Sequence, residues 1–147
     1  KGPNVMLGYY KDPEATEEAF DENGYFKTGD YGTLVDGVLS ITGRKKNVIV
    51  LNNGKNVFPE ELESLLAGTD FIKECVVYNR MDDGKDLICA KVVYDSEKYK
   101  DKAEVEKLVK EKIEEVNTKL VSYKQIRDFE LTDVEMDKTT TGKIKRH

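Results

Sequence analysis

Gly43-Arg44-Lys45-Lys46 divides the chain into a strand-rich, Gly-punctuated segment before it and a segment with its own helix and strand signals after it. The four residues are polar, follow the strand pattern through a Gly and offer no apolar side chain to anchor them in either neighbouring core. They read as a joint between two bodies. Upstream, Asp12-Pro13-Glu14 carries the marks of a helix start, with Asp as N-cap, Pro in the first turn and acid at the positive end of the dipole. That helix runs to about Phe20. Asp36-Gly37 between Thr33-Leu34-Val35 and Val38-Leu39-Ser40-Ile41 predicts a two-residue hairpin. Residues 1–42 have little apolar material of their own and read as the tail of a larger domain.

Downstream, Asn47–Leu51 is a strand candidate closed by Asn53-Gly54, a pair that supplies the positive φ a tight turn needs. Pro59 opens a helix with Leu62, Leu65 and Leu66 on one face, ended by Gly68. Lys73–Asn79 and Leu87–Tyr94 form an antiparallel hairpin across Met81–Lys85. From Lys102 to Leu120, Val105, Leu108, Val109, Ile113, Val116 and Leu120 recur at helical spacing, with a solvated Lys/Glu face. Ile126–Leu131 is a last strand, and Asp133–Lys138 a polar approach to the terminal motif. The fold class is therefore α+β: a small domain with a central antiparallel sheet flanked by helices, preceded by a β-rich tail.

The 147 residues carry 36% charged and 38% hydrophobic side chains, a net charge of −5 and a pI near 5.1. An acidic chain of this kind lacks the basic face that general nucleic-acid binding requires. No apolar run approaches the ~20 residues of a bilayer span, and no signal peptide opens the chain. Lys1 in place of Met suggests a piece of a longer protein. Cys75 and Cys89 lie in separate apolar runs without a second Cys or His at ligand spacing, so they read as reduced core residues and no metal site is expected. His147 is terminal and alone, as a tag remnant would be.

Three further stretches carry chemistry. Asp30 follows Thr28-Gly29 at a strand end, where a carboxylate can accept hydrogen bonds from two vicinal hydroxyls, although Thr-Gly-Asp is also ordinary turn chemistry. Asn52–Glu63 is a turn and the start of a helix. Thr139-Thr140-Thr141-Gly142-Lys143 fails the phosphate-loop pattern, since Ile144 is neither Ser nor Thr. Lys143–Arg146 would by itself be a solvated basic tail.

Taken in order, Tyr25–Asp30, Gly43–Lys46, Asn52–Glu63 and Thr139–Arg146 resemble the last motifs of the adenylate-forming enzymes, the superfamily of acyl-CoA synthetases, peptide-synthetase adenylation domains and luciferases. Gly8–Thr16 resembles the motif before that family's hinge region, and Glu114–Ile126 is most like bacterial long-chain fatty acid–CoA ligases. The resemblance covers nearly the whole chain. It implies that Asp30 and Arg44 bind the ribose of ATP or AMP, that Lys46 is the hinge and that Gly54 leaves room for the pantetheine arm of coenzyme A. It also implies that Lys143 reaches the carboxylate and phosphate during adenylation, a task suited to an ammonium on a flexible stem. Two positions depart from the pattern: Val50 stands where many relatives have Lys, and Asp137 where the family often has Pro.

The resemblance divides the chain into 1–43, the end of a large adenylate-forming domain, 44–46, the hinge, and 47–147, the lid. It implies a cytoplasmic fatty acid–CoA ligase using ATP, Mg²⁺ and coenzyme A. Its partners would be a fatty acid, its own N-terminal domain and, in the parent protein, a peripheral membrane contact. The segment alone would be inactive. A carrier-loading adenylation domain and a free-standing, non-catalytic interaction module are the alternatives.

Overall fold

The computed structural model describes residues 1–146; His147, the tag-like residue, lies outside the described residues. The chain divides into two compact units, Lys1–Lys46 and Asn47 onward.

In the first unit, helix α1 (Pro13–Ala19) starts as its sequence predicts, with the Asp12 side chain accepting from the Ala15 N–H at 3.0 Å. Thr16 ties the approach down: its hydroxyl accepts from the Tyr9 N–H and donates to the Asp12 carbonyl. Strands β1 (Asp30–Val35) and β2 (Val38–Arg44) form an antiparallel hairpin. Its turn residues Asp36 and Gly37 both have positive φ, 50° and 80°, the twist a two-residue hairpin demands. Leu34, Val35, Val38, Leu39 and Ile41 are each at least 60% exposed. Among residues 1–46 only Gly43 is buried.

A 3₁₀ turn, Lys45–Asn47, leads from the first unit into the second, and of the strand expected over 47–51 only Ile49–Val50 (β3) forms, paired with β4 (Asn56–Val57). Helix α2 (Pro59–Leu66) buries Leu62 and Leu66 completely. Strands β5 (Ile72–Asp82) and β6 (Lys85–Tyr94) run through to a two-residue turn at Asp83-Gly84, a tighter reversal than the five-residue connection the sequence suggests. Helix α3 (Lys102–Thr118) buries Val105, Val109, Ile113 and Val116, the expected stripe. Leu108 and Leu120 stay partly exposed. Strand β7 (Asp128–Thr132) completes the sheet in the order β5-β6-β7.

The sheet is antiparallel in β5–β6, but β7 joins β6 in parallel. A parallel neighbour needs a crossover of a dozen or more residues, and α3 supplies it. Asn117 fastens that crossover. Its side-chain amide donates to the Ile126 carbonyl at 2.8 Å and accepts from the Ile126 N–H at 2.9 Å.

Every second residue of β6, Ile88, Ala90, Val92 and Tyr94, enters one core with Val77, α2 and α3. Leu62→Ala removes most of a fully buried side chain and is expected to lower the unfolding free energy of this chain by about 2–5 kcal/mol in denaturant titration. Hydrogen exchange should separate the units as well, with β1–β2 amides exchanging faster than those of β5, β6 and α3.

Candidate functional site

Asp30 and Arg44 come together through an irregularity in the first hairpin. Pairing proceeds evenly from Val35–Val38 to Gly32–Ile41, then shifts by one so that Tyr31 faces Gly43 and Asp30 faces Arg44. Thr42 is the extra residue. Without this bulge Asp30 would face Gly43, so the bulge re-aims the strand end as bulges commonly do. Arg44 Nε then lies 3.0 Å from Asp30 Oδ1, and its Nη1 donates to the Thr28 carbonyl at 3.1 Å. The Asp30 N–H donates to Thr28 Oγ1, closing the turn below it. A carboxylate held on one oxygen by a guanidinium keeps its other oxygen as an acceptor for hydroxyl donors such as those of a vicinal diol.

Gly54 sits in the turn between β3 and β4 with φ +76°, and a Cβ there would meet nothing within 4 Å. Its requirement within this unit is conformational, not steric. The turn is firmly seated. The Asn52 N–H donates to Asp86 Oδ2 at 2.6 Å, the Gly54 N–H donates to the Leu51 carbonyl, and the Lys55 ammonium lies 4.4 Å from the Tyr123 ring centroid. Beside it opens a cleft of about 380 Å³ bordered by Asn52, Asn53, Lys85, Asp86, Tyr123 and Arg127. The sequence reading missed this cleft, because its walls come from three stretches far apart in the chain. Val50, the position that departs from the family's Lys, is exposed on β3.

Lys143 lies at the end of a terminal turn. Thr139 N–H donates to the Lys143 carbonyl at 2.7 Å, Gly142 N–H to the Thr139 carbonyl at 2.9 Å, and Gly142 takes φ +76°. The Lys143 side chain is exposed, with no ion pair among the described residues. The Asp137 carbonyl accepts from the Lys145 N–H, so Asp137 serves the approach through its backbone. The tail is not the solvated basic run its composition suggests. Arg146 Nη2 pairs with Glu63 Oε2 at 2.5 Å.

The Gly54 turn and the Lys143 turn are moored at different points of the β5–β6 hairpin. Asn52 is tied to Asp86, which pairs with Met81. Residues 136 and 138, leading into the Lys143 turn, are both held by Glu74. Glu74 and Met81 are seven residues apart on one strand, about 23 Å.

The AMP-binding enzyme C-terminal domain family matches residues 61–143. The chain belongs to that family. It is 38% identical to the probable acyl-activating enzyme 4 of Arabidopsis thaliana over 99% of the chain and 26% of that protein. It is 44% identical to the long-chain-fatty-acid–CoA ligase FadD15 of Mycobacterium tuberculosis over 67% of the chain and 16% of that protein. The chain thus spans between about a sixth and a quarter of these two curated relatives. Among solved structures, the adenylation domain of a carboxylate reductase from Mycobacterium chelonae superimposes with a TM-score of 0.80 at 28% identity, over 98% of this chain and 24% of that one. O-succinylbenzoate coenzyme A synthetase of Bacillus subtilis, in complex with AMP, gives 0.73 at 31% identity over 98% of this chain and 27% of that one.

In this AMP-binding enzyme C-terminal domain no described helix is long and apolar enough to cross a membrane, and no group of three His, Cys, Asp or Glu among the described residues could hold a metal ion. Cys75 and Cys89 are free thiols on the sheet. Burial pushes the Cys75 thiol up to about 12 and raises Cys89 as well, which makes both poor nucleophiles at neutral pH. A thiol whose folded pKa lies above its unfolded value stabilises the fold fully below the unfolded value, about 8.5, and loses that contribution as pH climbs toward the folded one. Alkylation at pH 8 is therefore expected to be far slower in the native chain than in the unfolded one, and stability should begin to fall only above about pH 8.5.

Proposed function

We propose that this segment is the C-terminal part of an ATP-dependent fatty acid–CoA ligase: the end of its large domain, a hinge at Lys46 and the lid. The observation that carries the reading is the separate mooring of the Gly54 and Lys143 turns on the β5–β6 hairpin. Two functional turns on one rigid body, with anchors from about 13 to about 23 Å apart along the hairpin, suit a lid that presents them in succession. The fatty acid is supported by the likeness to FadD15 and by the Glu114–Ile126 stretch.

In the first step an acid's carboxylate oxygen attacks the α-phosphorus of ATP and pyrophosphate leaves. Asp30 and Arg44 hold the ribose, and Lys143 extends its ammonium to the carboxylate and the phosphate oxygens where negative charge accumulates. Mg²⁺, when bound, would neutralise phosphate charge through ligands outside this segment. In the second step the coenzyme A thiol loses its proton and its sulfur attacks the acyl carbonyl, releasing AMP. Gly54 borders the path of the pantetheine arm. Lys85 and Arg127, in the cleft beside that turn, suit the anionic nucleotide end of the same molecule.

The strong likeness to a carboxylate reductase adenylation domain favours one other reading, a segment whose thiol acceptor is carried on a protein. Thioester formation with free coenzyme A, compared with a phosphopantetheinylated carrier, separates the two.

Three outcomes are expected. The isolated chain should catalyse no acid-dependent exchange of pyrophosphate into ATP. In the complete enzyme, Lys143→Ala should slow that exchange by about 10²–10³-fold while leaving thioester formation from supplied acyl-adenylate nearly intact; equal loss in both would count against the assignment. Lys46→Pro tests the hinge. Proline drives the preceding residue out of helical φ/ψ, and Lys45 is within a 3₁₀ turn, so the substitution disfavours this conformation and favours one in which Lys45 is extended. One half-reaction should persist and the other be severely slowed, with the melting temperature little changed. Wild-type rates in both would remove the hinge from Lys46.

A further inference from the structure

The end of the chain alternates like a strand. Lys143 and Lys145 are exposed while Ile144 and Arg146 turn inward, and an isolated bridge pairs Ile144 with Lys138. Arg146 is the far anchor. Its Nη2 meets Glu63 Oε2 at 2.5 Å with side chains only 25% and 15% exposed, and its Nη1 reaches the Val77 carbonyl at 3.5 Å. Glu63 is itself fixed, because its other oxygen accepts from the Val77 N–H at 2.7 Å. On the near side of the turn, Lys138 pairs with Glu74 and Glu135.

The same cluster extends to the joint. Glu60 Oε1 accepts from Asn47 Nδ2 at 2.5 Å and lies 3.8 Å from Arg146 Nη2, while its Oε2 is buried without a partner. Asn47 directly follows Lys46. The residue after the proposed pivot and the residue three after the proposed adenylation lysine thus meet on Glu60 of α2.

We propose that Arg146 is a positioning residue for Lys143. It clamps the terminal turn to Glu63 and Glu60 so that the Lys143 ammonium travels with the lid instead of swinging on a loose tail. Between the two clamps the turn is closed by a handful of backbone bonds. With Arg146 released, Lys143 would be held from the Lys138 side alone. Misplacement of a reacting group by about 1 Å is enough to cost ~10²-fold in rate. The proposal rests on the adenylation role given above to Lys143.

The test uses the complete enzyme with Arg146→Gln, Glu63→Gln, the double variant and Lys143→Ala. Glu63→Gln keeps an acceptor for the Val77 N–H while removing the charge that holds Arg146. Either single variant is expected to slow pyrophosphate exchange by about 10- to 100-fold at saturating substrates, with thioester formation from supplied adenylate changed by about twofold at most. The double variant should be no slower than the worse single one, because both break one contact. Amides 139–145 should exchange faster in Arg146→Gln while those of α2 and β5 keep their protection. Unchanged pyrophosphate exchange in Arg146→Gln, beside a slow Lys143→Ala, would overturn the clamp and leave the role of Lys143 standing. Equal loss in both half-reactions with deprotection of α2 would assign Arg146 to fold stability only, which also overturns it. Normal exchange in Lys143→Ala would remove the adenylation reading itself, and this proposal with it.

Discussion

The burial of Leu62 and Leu66 of α2 against Val77, Val92 and the α3 stripe is the interaction on which the second unit depends. It fixes α2 against β5, and with it the three carboxylates Glu60, Glu61 and Glu63 that α2 carries along its other faces. Each of these holds another stretch of the chain: Glu60 holds Asn47, Glu61 pairs with Lys124 at 2.7 Å, and Glu63 pairs with Arg146. A helix of two turns would be marginal alone. Packed by two fully buried leucines, it becomes the rigid element to which the joint, the 122–124 turn and the tail are all fastened.

The first unit lives under a different constraint. Its hairpin exposes apolar side chains on both faces near the tip, and a two-stranded ribbon is marginal in water without a partner surface. Its one precise feature is the pairing of Asp30 with Arg44, which depends on backbone register more than on burial. That register is sensitive to the single extra residue Thr42.

Much of this was legible in the sequence because local chemistry decided it. Asp36-Gly37 made a hairpin turn since both residues tolerate positive φ, the α3 stripe followed helical periodicity, and Asp12 capped α1 as its type and place suggested. The parallel entry of β7 was not legible, since strand direction depends on where α3 delivers the chain and not on the residues of β7. The Thr42 bulge was hidden because nothing in Ile41-Thr42-Gly43 announces an extra residue except the register set from the other end. Arg146 looked like part of a basic tail because its partners are 83 and 86 positions away, on a helix whose acidic residues read equally well as solvated. The cleft at Lys85 and Arg127 was invisible for the same reason. Motif order, in contrast, survives without tertiary information, and it pointed to the AMP-binding enzyme C-terminal domain.

The central claim is that one small body presents its Lys143 end and its Gly54 end in turn. The most direct measurement is a pair of spin-label distances in the complete enzyme, from Glu17→Cys on α1 to Lys145→Cys beside the terminal turn, and from Glu17→Cys to Met81→Cys beside the Gly54 turn. Cys89 is buried, and Cys75, which is only partly buried, is replaced by Ser in both labelled pairs. On going from ATP with a fatty acid to an acyl-adenylate analogue with coenzyme A, the account predicts that the two distances change in opposite directions. Two distances that stay the same in both states would contradict it.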